Sequence, residues 1–415
     1  MIGIPSHLQP KLVVFFSVDL VGSTQYKQKQ KRGEDAPGEK VWWEDLVNKF
    51  YIDFPKMLAE IVRELRDDHV IKAIHPVPAD FRNFVFVLWK TNGDELIFKI
   101  ELQKPESNST QGEIATEIMI LYYAVHCFAK CIYSCRLSLK LRAMGLDLKG
   151  AIWCSEFPVL NREIVVIHDA SVFDKYPRDI SDYQIETNYF LLEEYHKNPR
   201  EMRQFIRIDY IGPQIDIGFR LCGLAKPSRL VISLEVAALL NQLGLQKEKL
   251  NPDDRDTLNQ LFLPIKVREA VELKGALEKS RYPVFYVDFD AYIKHFQQTV
   301  RHAHSIADHA SQIEGIHDRF FFEPGGQRGK IDTYCRDLLQ MFRDYIMPPW
   351  FIMSFEENQL YSQKLAERAE DLKTYRETLK IDRSATEPDY ESGATAGNVT
   401  NQINNSALLI PHRKT

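Results

Sequence analysis

The sequence has no feature typical of a membrane protein, a secreted protein or a general nucleic-acid binder. Its 415 residues include 53 lysines and arginines against 58 aspartates and glutamates, so the formal net charge is −5 rather than strongly positive. No apolar run approaches the length of a membrane span, and Met1–Lys11 lacks the apolar core of a secretion signal. We therefore expect a protein that binds neither membranes nor nucleic acids.

Cysteine is scarce, and its spacing does not indicate a metal site. Only six cysteines are present, and no CxxC pair occurs among them. Cys127, Cys131 and Cys135 recur every four residues, which places them on one face of a predicted helix. This pattern is typical of buried reduced thiols. We expect the protein to be cytoplasmic.

The order of the predicted strands and helices favours an α+β fold. Lys11–Leu20 is a β-branched and aromatic run, read as a buried strand. Phe84–Leu102 reads as a hairpin joined across Asn-Gly, and Val267–Lys274 with Pro283–Phe289 reads as a closing hairpin. Helical patterns separate these antiparallel units, which is the arrangement of an α+β rather than a doubly wound protein.

The composition of the chain changes twice along its length. Residues 1–292 are predicted to form the main domain, with an inserted segment at about 155–205 that matches no regular period. Residues 293–383 are predicted to form a helical C-terminal module. Residues 384–415 are rich in Ser, Thr, Gly and Asn, which predicts a disordered tail.

Two aspartates occupy positions where a sheet can present charged ligands. Asp19 ends the first predicted strand, and Asp94 lies in the turn of the first hairpin. A carboxylate at a strand end and another at a hairpin tip can offer two hard oxygen ligands at one point. Such a pair suits Mg²⁺ or Mn²⁺ bound together with substrate phosphates. The alternative is that Asp94 only forms the turn, since Asn-Gly-Asp is a good hairpin sequence.

Several ordered blocks of the sequence resemble class III nucleotidyl cyclases. Phe16–Thr24 (FSVDLVGST) is similar to the first metal-binding strand of that family, and Lys90–Asp94 (KTNGD) to its second metal motif. Gly212–Arg220 (GPQIDIGFR) resembles the start of the helix with the transition-state arginine, and Glu272–Gly275 (ELKG) resembles the closing hairpin. The resemblance covers roughly residues 11–289 and implies a ferredoxin-like catalytic domain.

The resemblance also implies cofactors, a mechanism and an assembly. It assigns two divalent metal ions, Mn²⁺ or Mg²⁺, to Asp19, Leu20 and Asp94. Arg220 falls on the arginine that neutralises charge on the α-phosphate while pyrophosphate leaves. In this family the metal carboxylates and the arginine of one site come from opposite subunits. A head-to-tail homodimer with active sites at the interface is therefore implied.

Further positions are matched to the substrate by the same resemblance. Asp216 stands where the family has its ribose-positioning asparagine, and Lys274 is a candidate for binding the leaving pyrophosphate. Lys90 and Asp209 fall on the base-reading lysine and aspartate of adenylyl cyclases. A lysine donor beside an aspartate acceptor fits adenine, cytosine and uracil alike, so this pair leaves the base open.

The overall likeness is greatest to the bacterial pyrimidine nucleotide cyclases of the Pycsar antiphage systems. It implies UTP or CTP as the substrate, and a separate effector that responds to cyclic UMP or cyclic CMP. Phe50 or Tyr51, on the helix between the two metal motifs, is a candidate to pack against a small base. For Phe50 the alternative is a core position on an amphipathic helix.

Other functions stay open on the sequence alone. An adenylyl cyclase that makes cyclic AMP shares every catalytic residue. A catalytically inactive sensor with a cyclase fold is favoured only by Asp216, whereas the presence of Asp19, Asp94 and Arg220 together argues against it. The Asn-Gly-Asp-Glu-Leu stretch also resembles the GGDEF turn of diguanylate cyclases, but that comparison leaves Arg220 unexplained.

Overall fold

The structure is a computed structural model that describes residues 8–32, 42–67, 84–103, 111–176, 184–247, 265–294 and 327–386. It shows the mixed α+β architecture that the strand and helix patterns predict. The chain divides into two compact units, Met1–Ala369 and Glu370–Thr415. In the second unit, only the end of the last helix lies within the described residues.

The described residues form nine β-strands. They are, in chain order, β1 (Lys11–Val21), β2 (Val87–Asn92), β3 (Glu95–Gln103), β4 (Asp147–Phe157), β5 (Arg162–Ile167), β6 (Ile206–Ile211), β7 (Arg229–Ile232), β8 (Ile265–Glu272) and β9 (Arg281–Asp288). Seven of these strands form the main sheet in the order β2-β3-β1-β4-β7-β9-β8. Its pairs are antiparallel except for β4 with β7, which run parallel. The predicted first strand and both predicted hairpins are therefore confirmed.

The α-helices connect these strands and pack on both sides of the sheet. They are α1 (Ser23–Arg32), α2 (Trp43–Asp67), α3 (Gln111–Ser138), α4 (Ser171–Lys175), α5 (Gln184–Lys197), α6 (Pro199–Met202), α7 (Pro213–Cys222), α8 (Leu234–Lys247), α9 (Gln327–Met341) and α10 (Phe355–Thr386). Side chains alternate along β1, so neighbouring phenylalanines point to opposite faces. Phe16 meets Phe128 of α3, with ring centroids 5.3 Å apart, whereas Phe15 stacks on Trp153 at 5.2 Å on the face that α7 covers.

The strands β5 and β6 form a small second sheet outside the main one. It has its own buried apolar cluster, made of Val172, Leu191, Met202 and Ile206. Most of this layer comes from the segment at about 155–205 that breaks the regular pattern of the sequence. Asp209, a candidate site residue, lies on β6 and is therefore held by this smaller layer.

The C-terminal helices pack against the main sheet as far as Ala369. Tyr282 of β9 and Phe342, which follows α9, have ring centroids 5.9 Å apart. The hydroxyl of Tyr361 on α10 donates a hydrogen bond of 2.6 Å to Glu156 at the end of β4. Residue 292 lies within the first compact unit, Met1–Ala369. Residues 295–326 and 387–415 lie outside the described residues.

Helix α3 corrects one expectation from the sequence. Its segment Glu117–Ser138 has 22 residues and a mean hydropathy of 1.4, enough by length and composition to cross a membrane. Within the protein, 78% of that window is buried, because α3 packs against α2, α8 and the main sheet. This burial is what the core helix of a folded domain shows. Cys127, Cys131 and Cys135 are buried on it, and none of the six cysteines forms a disulfide.

Candidate active site

A row of three charged side chains crosses the main sheet at the end of β1. The antiparallel registers place Glu95 of β3 and Lys149 of β4 directly opposite Asp19, so the three side chains share one face. The Lys149 Nζ atom lies 3.1 Å from Oδ2 of Asp19. The hydroxyl of Ser17, two residues earlier on the same face, donates a hydrogen bond of 2.5 Å to Glu95. The row is thus fixed by strand pairing.

The turn between β2 and β3 brings Asp94 to the same corner. Gly93 adopts a φ of +66°, a left-handed conformation that glycine tolerates without strain. Its carbonyl oxygen accepts a hydrogen bond from the hydroxyl of Tyr51 on α2. The turn is therefore tied to the helix that packs on the sheet, and Asp94 is presented at its tip.

The electrostatics of this corner fit a divalent cation. Burial raises the pKa of Asp19 above its ordinary value; Lys149 opposes this shift, and the negative charges of Asp94 and Glu95 add to it. Three carboxylates against one ammonium leave an excess of negative charge, and oxygen ligands suit Mg²⁺ or Mn²⁺. The Leu20 side chain is apolar and buried, so only its backbone carbonyl could serve as a ligand. Asp19, Leu20, Asp94 and Glu95 are called the metal group.

The metal group is not a closed metal cage. Within the described ranges, no group of three histidine, cysteine, aspartate or glutamate side chains is arranged to hold a metal ion. A metal at Asp19 and Asp94 would therefore need further ligands from water or from a bound phosphate. This open coordination is typical of magnesium sites that bind nucleotides.

A second group forms around Lys90 and Asp209. The Nζ atom of Lys90 on β2 lies 2.9 Å from Oδ1 of Asp209 on β6, and each side chain is 25% exposed. Lys90 also lies 3.9 Å from the ring centroid of Trp89 and 5.1 Å from that of Phe219. Tyr210 packs edge-on against Trp89 at 5.2 Å. These residues are called the base group, in which a charged pair is surrounded by aromatic rings.

Helix α7 carries a third group. Arg220 is exposed in its last turn, and its Nε–H donates a hydrogen bond of 2.9 Å to the carbonyl oxygen of Lys274. Asp216 is exposed one helical turn before Arg220, and the Lys274 side chain is also exposed. These three residues are called the arginine group. The helix sits close to the sheet because Gly218 faces Trp153, where an added Cβ would lie 2.3 Å from the indole ring.

The start of α7 is anchored by a buried polar network that the sequence patterns did not indicate. The Gln214 side chain donates a hydrogen bond of 2.8 Å to Glu235 and one of 3.4 Å to the carbonyl oxygen of Met347. The side-chain oxygen of Gln214 accepts a hydrogen bond of 2.7 Å from the Asn161 amide, and the Gln214 backbone N–H donates one of 3.1 Å to the Asn161 side-chain oxygen. This network ties the base of α7 to the C-terminal segment. Nothing local in the sequence marks it, since its members come from distant elements.

Glu156 extends this network toward α10. Its carboxylate accepts hydrogen bonds from the Tyr361 hydroxyl and from the backbone N–H groups of Val159 and Leu160. Burial raises its pKa to about 7, although these hydrogen bonds oppose the shift. Because this buried carboxyl group has a pKa near neutrality, its contact with Tyr361 should depend on pH.

The two aromatic candidates on α2 have different surroundings. Phe50 is fully buried and packs against Phe54, with ring centroids 5.7 Å apart, so it lies in the core. Tyr51 is partly exposed and bonds the Gly93 carbonyl beside Asp94. Of these two residues, only Tyr51 contacts the turn that carries Asp94 of the metal group.

The predicted residues therefore fall into separate groups within one chain. Among the described residues, no hydrogen bond or ion pair joins Arg220 to Asp19 or Asp94. A cavity of about 510 Å³ lies elsewhere, at the end of α3, and is lined by Arg136, Lys140 and other residues. None of the candidate site residues lines it. Arg220 is exposed, whereas Asp19, Lys90 and Asp209 are each partly exposed.

Comparisons with known proteins give only distant matches. No protein-family profile matches the chain, and no curated protein matches it. Among solved structures, the adenylyl cyclase CyaB from P. aeruginosa aligns at 13% identity and a TM-score of 0.35, over 67% of this chain and 94% of that chain. The guanylyl cyclase Cya2 aligns at 13% identity and a TM-score of 0.30, over 67% and 92% of the two chains. A guanylyl cyclase domain from the fungus Blastocladiella emersonii aligns at 8% identity and a TM-score of 0.26, over 67% and 95%. At these scores the alignments do not establish the function, which has to be argued from the residues of this chain.

Proposed function

We propose that the chain is a nucleotide cyclase of the class III type that converts UTP or CTP to 3′,5′-cyclic UMP or cyclic CMP and pyrophosphate. The observation that carries the proposal is the contact of Lys90 with Asp209, which are 119 positions apart in sequence and 2.9 Å apart in the fold. The class III resemblance assigns both positions to base recognition. Their pairing in the folded chain supports that assignment.

The base group suits a base that offers an acceptor beside a donor. Lys90 can donate to a ring nitrogen or carbonyl, and Asp209 can accept from a neighbouring amino or ring N–H group. Uracil, cytosine and adenine all meet this requirement. The rings of Trp89 and Phe219 crowd Lys90, and Tyr210 packs against Trp89. This crowding favours a base with one ring, and therefore a pyrimidine.

The arginine group is assigned to the phosphates and the ribose. The Nε–H of Arg220 is used by the Lys274 carbonyl, which orients the guanidinium and leaves its terminal nitrogens for α-phosphate oxygens. The exposed ammonium of Lys274 is available to the leaving pyrophosphate. Asp216 can accept a hydrogen bond from a ribose hydroxyl, although it cannot donate one as an asparagine would.

The metal group would hold two Mn²⁺ or Mg²⁺ ions through Asp19, Asp94 and the carbonyl of Leu20. Bound metals would lower the pKa of the ribose 3′-hydroxyl and hold the triphosphate. The role of the chain itself is to position the two carboxylates. Strand β1 and the turn at Gly93 hold the two carboxylates at one corner, and Tyr51 fixes the turn.

We place each complete active site between two copies of the chain. This placement rests on the class III resemblance, which puts the metal carboxylates and the arginine of one site on opposite subunits. A head-to-tail homodimer, in which the metal group of one copy faces the arginine group of the other, would assemble two equivalent sites.

We assign the cyclic product a role as a second messenger in antiphage defence, acting on a separate effector in the cytoplasm. This part rests on the likeness to Pycsar cyclases. Cyclic UMP or cyclic CMP should rise in bacteria that express the protein after phage infection, as measured by mass spectrometry. Constant levels through infection would contradict the defence role.

The deciding experiment is incubation of the purified protein with each of the four ribonucleoside triphosphates and Mn²⁺, with products identified by mass. A cyclic pyrimidine monophosphate as the main product is the expected result. Cyclic AMP would keep the mechanism and contradict the choice of base. No product with any substrate would favour an inactive sensor with a cyclase fold.

A further inference from the structure

We propose that Lys149 is a further residue of the metal site, which pairs with Asp19 in the metal-free protein and is displaced when a divalent cation binds there. This inference rests on the proposed function, because it concerns the same metal group. Neither the metal motifs nor the arginine block includes Lys149. Its place in the site becomes apparent only when β1 and β4 are paired.

The pairing of Lys149 with Asp19 follows from strand register. The two residues are directly opposite in the antiparallel pair of β1 and β4, so their side chains leave the sheet on the same face. The Nζ atom lies 3.1 Å from Oδ2 of Asp19, and the side chains are 26% and 25% exposed. This is a partly buried ion pair at the residue that the proposed function assigns to the metals.

The charges around Asp19 give this ion pair its effect. Asp94 and Glu95 repel the Asp19 carboxylate, and Lys149 offsets that repulsion. A divalent cation on Asp19 would carry out the same neutralisation with twice the charge. The ammonium and the metal ion repel each other strongly at such distances, so they cannot share Oδ2. A metal ion bound at Oδ2 would therefore displace Lys149.

Displacement has a consequence for the order of binding. A bare metal ion has to break the ion pair and leave the ammonium without a partner. A metal ion that arrives with a triphosphate brings negative charge to which the released ammonium can turn. Lys149 therefore weakens the binding of metal alone and favours entry of the metal–nucleotide complex.

The test is Mn²⁺ binding to the full chain without nucleotide, measured from the electron paramagnetic resonance signal of free Mn²⁺. Lys149→Met should lower the dissociation constant about fivefold, the order expected when a partly exposed competing ion pair is removed. Lys149→Arg keeps the positive charge and should stay close to wild type. Asp19→Asn should weaken Mn²⁺ binding in either background.

A matched control exists at the other end of the same sheet. Lys266 of β8 pairs with Asp288 of β9, again between antiparallel neighbours and with similar exposure. Lys266→Met should leave Mn²⁺ affinity unchanged. Unchanged or weaker affinity in Lys149→Met, or no Mn²⁺ binding by either protein, would overturn the inference.

The result is separable from that of the product assay. A cyclic nucleotide product with unchanged Mn²⁺ affinity in Lys149→Met would remove the role of Lys149 and keep the cyclase. The expected rise in affinity without any cyclic product would keep the metal competition and remove the cyclase reaction.

Discussion

The metal group and the base group use the same kinds of charged side chain but balance them differently. In the base group one lysine meets one aspartate at 2.9 Å, with aromatic rings around the pair. In the metal group Asp19 meets Lys149 at 3.1 Å, while Asp94 and Glu95 add further negative charge. The first group is electrically balanced, and the second has an excess of carboxylates.

This difference indicates what each group can bind. A balanced pair can exchange its hydrogen bond for contacts to a neutral ligand that offers the lysine an acceptor and the aspartate a donor, which suits a nucleobase. An excess of carboxylates is relieved by cations, which suits metal ions. Under the proposed function, one polypeptide would thus separate recognition of the base from binding of the phosphates. Substitutions in each group test that division, and their expected effects on turnover range from large to small.

Removal of Asp94 or Arg220 should have the largest effect. Under the proposed function, Asp94→Ala takes away a metal ligand and Arg220→Ala takes away the charge that stabilises the α-phosphate. Each should lower turnover by about a thousandfold or more. Both residues are at least partly exposed, so the circular dichroism spectrum and melting temperature should stay near wild type. Turnover is measured as cyclic product formed per minute.

A mixture of these two inactive variants tests the shared site directly. If subunits exchange at random, about half of the dimers are mixed, and each mixed dimer contains one intact site. The mixture should then recover about a quarter of wild-type activity. A mixture that stays inactive would contradict a site between subunits.

Changes in the base group should alter selectivity more than they alter chemistry. Asp209→Asn replaces an acceptor by a side chain that can also donate, so discrimination between triphosphates should fall by about 10- to 100-fold in kcat/KM. Competition between UTP, CTP and ATP in one reaction measures the change. Glu101→Gln, on the neighbouring strand β3 and paired with Lys99, serves as the control. An Asp209→Asn enzyme with wild-type selectivity would remove this residue from base recognition.

Gly218→Ala should displace the arginine group, because Gly218 lies where α7 packs on Trp153. The added methyl group would meet the Trp153 indole at 2.3 Å, so α7 has to shift. We expect a loss of about 1–3 kcal/mol in the free energy of unfolding and about a tenfold drop in turnover. Urea unfolding and product formation measure the two effects. Gly223→Ala, where the nearest atom is 3.3 Å away, should change both far less.

Glu156→Gln should have the smallest effect on turnover, and its effect should appear in the pH dependence of stability. Burial raises the pKa of Glu156 from 4.5 to about 7, so the folded protein holds a proton that the unfolded chain releases earlier. Stability from this group is present below about pH 4.5 and is lost as the pH rises through about 7, by on the order of 3 kcal/mol. Urea unfolding between pH 5 and about 8 should show a flatter profile for Glu156→Gln. An identical slope in both proteins would contradict this origin.

The sequence predicted the elements that carry the site better than the contacts within it. The strand that ends in Asp19, the hairpin with Asp94 at its tip and the helix with Arg220 all follow from local signals such as apolar runs and Asn-Gly. The choice between Phe50 and Tyr51 did not follow. Adjacent residues on a helix differ by about 100° in direction, and only the packing shows which one faces the core.

Long-range partners could not be predicted for a physical reason. Lys149 meets Asp19 only because β4 pairs with β1 in one particular register, and Gln214 meets Met347 only because the C-terminal segment folds back. Neither relation leaves a periodic or compositional trace in the sequence.

The attachment of the C-terminal segment has a practical consequence for anyone who produces this protein. A gene fragment that stops at residue 292 would encode every candidate catalytic residue but omit Met347 and Tyr361, leaving Gln214 and Glu156 without those partners. Recombinant fragments should therefore extend at least to Ala369, the end of the first compact unit. Premature stop codons between those two positions should behave as loss-of-function alleles although the motif residues remain intact.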